Sequence, residues 1–501
     1  MKVKLLALIC AFAGIARLHA QDPAIQKYGN QITPSDLKEY LSILASDAFE
    51  GRETGKRGQK IAAAFVSAHF QEIGLTAPVN GSYYQPVELY TSIPGDTYVM
   101  TGKTRFNNFG DIVYYGTADS GGEVTVPAVF VGTGRPEDFE QVVVQDKAVL
   151  ILLKEEVDYQ APVTLAKEKG ARMIFFFHQD VKEYEEIVSQ LKAYTSGGTM
   201  STKKPDGSNV KSKGVFFIAP IVAEKILNLP LDKIKKAADE DPKKKALKKL
   251  KPSAVQFKTA SEVKTLRTEN VLGYLEGSDK KDELVIVTAH YDHIGKKSGT
   301  EGDLINNGAD DDGSGTVSVM EIAKIFAQAK KDGKGPRRSM LFMTVTGEEK
   351  GLLGSDYYTQ HPVFPLENTV VDLNIDMVGR RDAQHKDSAP YVYVIGSDKL
   401  STELHNLNEK NNKTYTNLIF DYTYNDQNHP DRLYYRSDHW NFAKNNIPII
   451  FYFDGIHEDY HLPSDEVQKI EFDLLAKRAQ CVFYTAWDIA NRDQRIAVDK
   501  K

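Results

Sequence analysis

With 501 residues, 41% hydrophobic and 26% charged, the chain has an ordinary globular balance and the length for two or three domains. A net charge of −6 argues against nucleic acid as the main partner, because phosphate binding needs a basic face. No internal apolar run approaches the length that crosses a bilayer, so no transmembrane segment is expected.

Residues 1–20 read as a secretory signal peptide. Lys2 and Lys4 precede an apolar stretch from Leu5 to Ile15, and Leu18-His19-Ala20 offers a small residue before Gln21. The mature chain is therefore expected outside the cytoplasm, in the periplasm or the medium. Cys10 lies in this segment, which leaves Cys481 as the single mature cysteine and allows no internal disulfide.

Thr33-Pro-Ser-Asp36 opens a helix, with Leu37, Tyr40, Leu41 and Leu44 at helical spacing. A second helix through Ile61 to Phe70 ends near Gly74. Short alternating strands are expected from Tyr84 to Tyr115. Val126–Val131, Ala148–Leu153 and Met173–Phe177 read as buried strands, with a small helix over Thr164–Gly170. The lysine-rich run Asp232–Lys251 reads as a helix with a solvated face.

From Val271 the chain alternates strand and helix. Strands are expected at Leu284–Thr288, Ser339–Val345, Val370–Ile375, Tyr391–Ile395 and Ile447–Phe453. Helices are expected at Thr316–Ala329, Leu352–Thr359 and Phe472–Ala490.

The polar residues fall just past those strands. His290 and Asp292 follow the first, Glu348 and Glu349 the second and Asp376 the third, while His461 lies beyond the last. In open α/β sheets a site forms outside the carboxyl ends of the strands, so these residues should converge on one crevice. Imidazole and carboxylate are the expected zinc ligands where thiolate is scarce. The set is too large for one tetrahedral ion but suits two, which share a bridging carboxylate. Asp310, Asp311 and Asp312, within the segment Asn307–Gly315, supply candidates for the bridge. Singly, each residue also has an ordinary reading, as a helix cap, a turn or a loop histidine. His178, His361, His385 and His429 keep that reading, and His293 and His439 are supporting residues at most.

The motifs Thr288-Ala-His-Tyr-Asp-His-Ile-Gly295, Gly308-Ala-Asp-Asp-Asp-Gly-Ser-Gly315 and Thr346-Gly-Glu-Glu-Lys-Gly-Leu-Leu-Gly-Ser355 resemble the M28 zinc peptidases. Asn374-Ile-Asp-Met-Val378 and Asp459-Tyr-His-Leu-Pro-Ser-Asp465 continue the likeness in the same order, and Phe49-Glu-Gly-Arg52 is similar to that family's lead-in. The resemblance implies an α/β fold, with a mixed, mostly parallel central sheet flanked by helices. Residues 21–120 and 261–495 would form the catalytic domain, and 121–260 a small β-rich insert similar to protease-associated domains.

It further implies two zinc ions, one held by His290 and Asp376, the other by Glu349 and His461, with Asp311 bridging. Glu348 matches the general base, and Asp292 a carboxylate that orients the His290 ring. Tyr434 resembles a tyrosine that stabilises the oxyanion, with Tyr435 and Arg436 as rivals. The implied function is a secreted aminopeptidase acting on peptides, with a carboxypeptidase or dipeptidase on the same site as the alternative. A one-zinc glutaminyl cyclase and a non-catalytic receptor fit less well, because the ligand set and the base are complete.

Overall fold

The computed structural model describes residues 23–500 apart from 117, 155–158, 197, 205–213 and 241–244. The signal-peptide segment, with Cys10, lies outside the described residues, and so does part of the lysine-rich run. Among the described residues no helix is long and apolar enough to cross a membrane. The chain forms two compact units, one from residues up to Val87 and from Arg267 onward, the other from Glu88 to Leu266.

In the first unit, Thr33 caps the Pro34–Leu44 helix by accepting a hydrogen bond from the Asp36 amide at 3.2 Å. Its Leu37, Leu41 and Leu44 are fully buried on one face, the spacing that the sequence announces. The next helix, Arg57–Ile73, closes on Gly74 in the left-handed conformation.

The central sheet of this unit is mixed and mostly parallel. Lys280–His290 lies parallel to both neighbours, Arg338–Val345 and Thr369–Ile375, with Val287 opposite Phe342 on one side and Leu373 on the other. Ile449–Phe453 extends the parallel set beside Thr369–Ile375, whereas Ser261–Leu275 and Tyr391–Ile395 join it antiparallel. Side chains alternate across Lys280–His290 as strand geometry requires. Val285, Val287 and Ala289 pack into the core beneath the helices Gly315–Lys331 and Phe472–Asn491, while Leu284 and Ile286 enter the opposite core with Tyr358 and Phe442. Both faces are covered, which is why these strands read as continuous apolar runs. Several helices escape sequence reading, among them Thr402–Asn411 in this unit and Val181–Ser196 and Pro220–Leu227 in the other. Thr402–Asn411, capped by Ser401, carries few apolar residues and buries only Leu404, Leu407, Asn408 and Asn411.

The second unit contains an eight-stranded mixed sheet whose centre, Val124–Phe130, Ala148–Leu153, Met173–His178 and Val215–Ile218, is parallel. It begins near Glu88 rather than at residue 121 because the Tyr98–Thr101 strand pairs with Ser253–Lys258. It is also more than a β-rich module. Helices Pro220–Leu227 and Leu231–Asp239 pack on one face and Gln160–Glu168 on the other. The lysine-rich segment is not one helix, since the helix stops at Asp239 and a separate single turn covers Leu247–Lys249.

Candidate metal centre

The parallel strands Lys280–His290, Arg338–Val345 and Thr369–Ile375 deliver their last residues to one edge of the sheet. His290 is the final residue of its strand, the Glu348–Lys350 turn follows Val345, and Asp376 follows Ile375. The Ala309–Ser314 turn brings Asp311 over that edge, and the loop after Ile449–Phe453 brings His461.

Two constellations result. His290 Nε2 lies 3.2 Å from Asp311 Oδ1, 3.5 Å from Asp376 Oδ1 and 3.8 Å from Glu348 Oε2. His461 Nε2 lies 3.1 Å from both Asp311 Oδ2 and Glu349 Oε2. Asp311 thus turns one carboxylate oxygen to each group, as a bridging ligand must. The adjacent Glu348 and Glu349 point to different groups.

His290 Nδ1 lies 3.0 Å from the Asp292 carbonyl, which can only accept. Nδ1 must then carry the proton, and Nε2 keeps its lone pair for a metal. The ring is oriented by that backbone carbonyl, whereas the Asp292 carboxylate, the expected partner, stands 4.0 Å away. That carboxylate accepts instead from Thr54 Oγ1 at 2.5 Å and from the Glu348 amide at 3.4 Å. Ser437 Oγ donates to Asp376 Oδ2 at 2.6 Å, leaving Oδ1 to face His290.

Asp310 and Asp312 have other work. Asp312 accepts from the amides of His290, Gly315 and Met377, tying three segments together. Asp310 accepts from the Gly379 amide at 2.7 Å and faces His457 Nε2 at 3.2 Å.

The donor set fits bound cations. Asp311 Oδ2 and His461 Nε2 are buried and face each other at 3.1 Å, yet neither makes a hydrogen bond. Atoms that share an ion at about 2.0–2.2 Å sit at such a separation without hydrogen-bond geometry. The electrostatics agree. Burial, with the Asp376, Glu349 and Asp438 charges, holds the Glu348 carboxyl well above its ordinary range despite His290. Burial also pushes Asp312 up, with Asp376 adding to it. Burial would raise Asp311 as well, but His293, His290 and His461 pull it well below. Burial works against protonation of His461, yet Asp311 and Glu349 raise it to about 10. This crowd of carboxylates calls for positive charge.

Two features go beyond the sequence reading. Fully buried His293 places Nδ1 2.7 Å from Glu349 Oε1 and 3.8 Å from Asp311 Oδ2, which sets its ring against the second group. The pocket above His290, Asp311, Glu348 and Asp376 is walled by Tyr460, Arg436 and apolar Met377, Leu433, Phe451, Phe453 and Ile456. Tyr434 is not part of that wall. It packs against Tyr435 and Trp440, and its carbonyl accepts from His439. Tyr460 stacks on the His461 ring at 3.9 Å, and its adjacency to that candidate ligand is the signal that could have singled it out.

Residues 270–486 match the profile of peptidase family M28. Similar proteins include a probable leucine aminopeptidase of Trichophyton verrucosum, 28% identical over 42% of this chain and 55% of that one. Aminopeptidase YwaD of Bacillus subtilis is 26% identical over 47% of each chain. The chain spans about half the length of these curated relatives. Among solved structures, the aminopeptidase from Aneurinibacillus sp. strain AM-1 has a TM-score of 0.55 at 17% identity, covering 95% of this chain and 98% of that one. A zinc aminopeptidase from Bacillus subtilis gives 0.51 at 18%, covering 94% and 98%. These two likenesses show the fold.

Proposed function

The chain belongs to peptidase family M28 through residues 270–486, and from that premise we propose that it is a zinc-dependent aminopeptidase removing N-terminal residues from peptides. The observation that carries the proposal is the convergence of His290, Asp376, Asp311, Glu349 and His461 around two groups, with Glu348 at the pocket floor. We assign His290 and Asp376 to one zinc ion, Glu349 and His461 to the other, and Asp311 to both.

Bound there, the ions would lower the pKa of water and polarise the scissile carbonyl. Glu348, facing His290 across the pocket, takes the proton of the attacking water and returns it to the leaving amine. We assign to Tyr460, which lines the pocket and stacks on His461, the donation of a hydrogen bond to the developing oxyanion. Met377, Leu433, Phe451, Phe453 and Ile456 exclude water from the substrate's side chain. Export by residues 1–20 and a protease-associated-like role for the Glu88–Leu266 unit belong to the same proposal.

One observation favours a second reading. Arg436 also lines the pocket, and a guanidinium there would suit a substrate carboxylate, as in a dipeptidase or carboxypeptidase. Rates on paired substrates decide. The aminopeptidase cleaves free-amine aminoacyl substrates and leaves their N-acetyl forms intact, with little preference for a carboxylate over an amide at the far end. Indifference to acetylation, or an absolute need for the carboxylate, would overturn it.

A further inference from the structure

Arg52 lies far upstream of the family match and is fully buried. Its Nε donates to the Tyr291 carbonyl, Nη1 to those of Leu44 and Asn307, and Nη2 to those of Gly308 and Asp311. Every guanidinium nitrogen is thus committed to backbone oxygen, with Asp311, Asp465, Asp312 and Asp292 as the nearby charges that compensate its burial. Two of the segments it joins are those that carry His290 and His293 on one side and Asp311 on the other. Its neighbour Thr54 holds the Asp292 carboxylate at 2.5 Å.

The backbone of this stretch has an unusual conformation. Glu50, Gly51 and Arg52 all adopt positive φ, at 53°, 68° and 49°. Left-handed φ at non-glycine residues is strained, and persists where surrounding contacts impose it. Here the Gly51 carbonyl accepts from the Gly295 amide and the Arg52 carbonyl from the His293 amide, at 2.9 and 3.1 Å. A Cβ on Gly51 would lie 2.6 Å from the carbonyls of Asn306 and Gly295, so only glycine permits this approach.

We propose that the Gly51–Thr54 segment is a positioning element of the metal centre, with Arg52 setting the distance between the His290 loop and the Asp311 turn and Thr54 fixing Asp292. Arg52 acts on both metal groups through Asp311, whereas Thr54 acts through the Asp292 carboxylate, which also accepts from the Glu348 amide. This inference rests on the ligand assignment above. Zinc uptake by the unaltered chain is therefore the control that tests that assignment separately.

The test measures zinc affinity of the full chain by chelator competition, with circular dichroism reporting the fold. Supporting contacts around metal ligands typically change affinity about 10–100-fold when removed. Arg52→Lys, which cannot make the forked contacts, is expected to weaken both zinc ions by a factor in that range while the fold is retained. Thr54→Val is expected to weaken zinc binding by a factor in the same range while the fold is retained, and Thr54→Ser to restore it. If Arg52→Lys does not fold, Thr54→Val decides. Wild-type affinity at both sites in Thr54→Val, whether or not its melting temperature drops, would overturn the proposal.

Discussion

At the scale of single residues, the account turns on neighbours with different duties. Glu348 and Glu349 are adjacent, yet one faces His290 and the other His461. Glu348→Gln should therefore keep both zinc ions while turnover falls about a hundred- to ten-thousand-fold, the usual weight of a general base. Metal analysis beside steady-state kinetics checks this, and normal turnover in the variant would remove Glu348 from the role. His461→Ala strips one group of a ligand and should lower zinc content by about one ion per chain. His290, Glu349 and Asp376 were legible because each sits at or just past the end of a buried apolar strand, whereas Asp311 was marked by the acidic run within Asn307–Gly315. Tyr460, His293 and Arg52 were not. His293 stands in the Thr288–Gly295 motif and Arg52 in the Phe49–Arg52 lead-in, but neither motif marks the contacts that these side chains make when buried. The partners of His293 and Arg52 lie far away in sequence, where no periodicity points, and Tyr460 is marked only by its place beside His461.

At the scale of elements, the helix Pro34–Leu44 supports the site from behind. Leu41 is fully buried, and its Cδ1 stands 2.7 Å from where a Cβ on Gly313 would be, within the turn that carries Asp311. Leu41→Ala is expected to cost about 2–5 kcal/mol, read from urea unfolding, by the usual weight of a buried leucine. Loss of the cap in Thr33→Ala should cost about 1 kcal/mol in the same experiment. A destabilisation of both variants by less than half of these values would mean that the helix contributes little to this core. Strand positions were readable from apolar runs and helix starts from capping residues. Thr402–Asn411 was not, because its stability comes from Ser401 and a narrow buried face rather than from a broad apolar stripe.

At the scale of the whole molecule, the first unit gathers carboxylates that burial and mutual repulsion strain, and cations bound there would relieve that strain. Stability should therefore be linked to zinc. A ligand at about a hundred times its Kd stabilises the native state by about 2.7 kcal/mol. Chelation should lower the melting temperature and restored zinc should return it, as calorimetry would show; a melting temperature indifferent to zinc would contradict this linkage. The division into two units was only partly legible. The pairing of Tyr98–Thr101 with Ser253–Lys258 sets the start of the second unit, and long-range strand pairing leaves no local mark in the sequence. The central claim is tested most directly by the zinc content of the purified chain after zinc loading and removal of excess metal. The account predicts about two ions per chain, because Asp311 offers one oxygen to each group. A chain that retains no zinc, or saturates at a single ion, would contradict it.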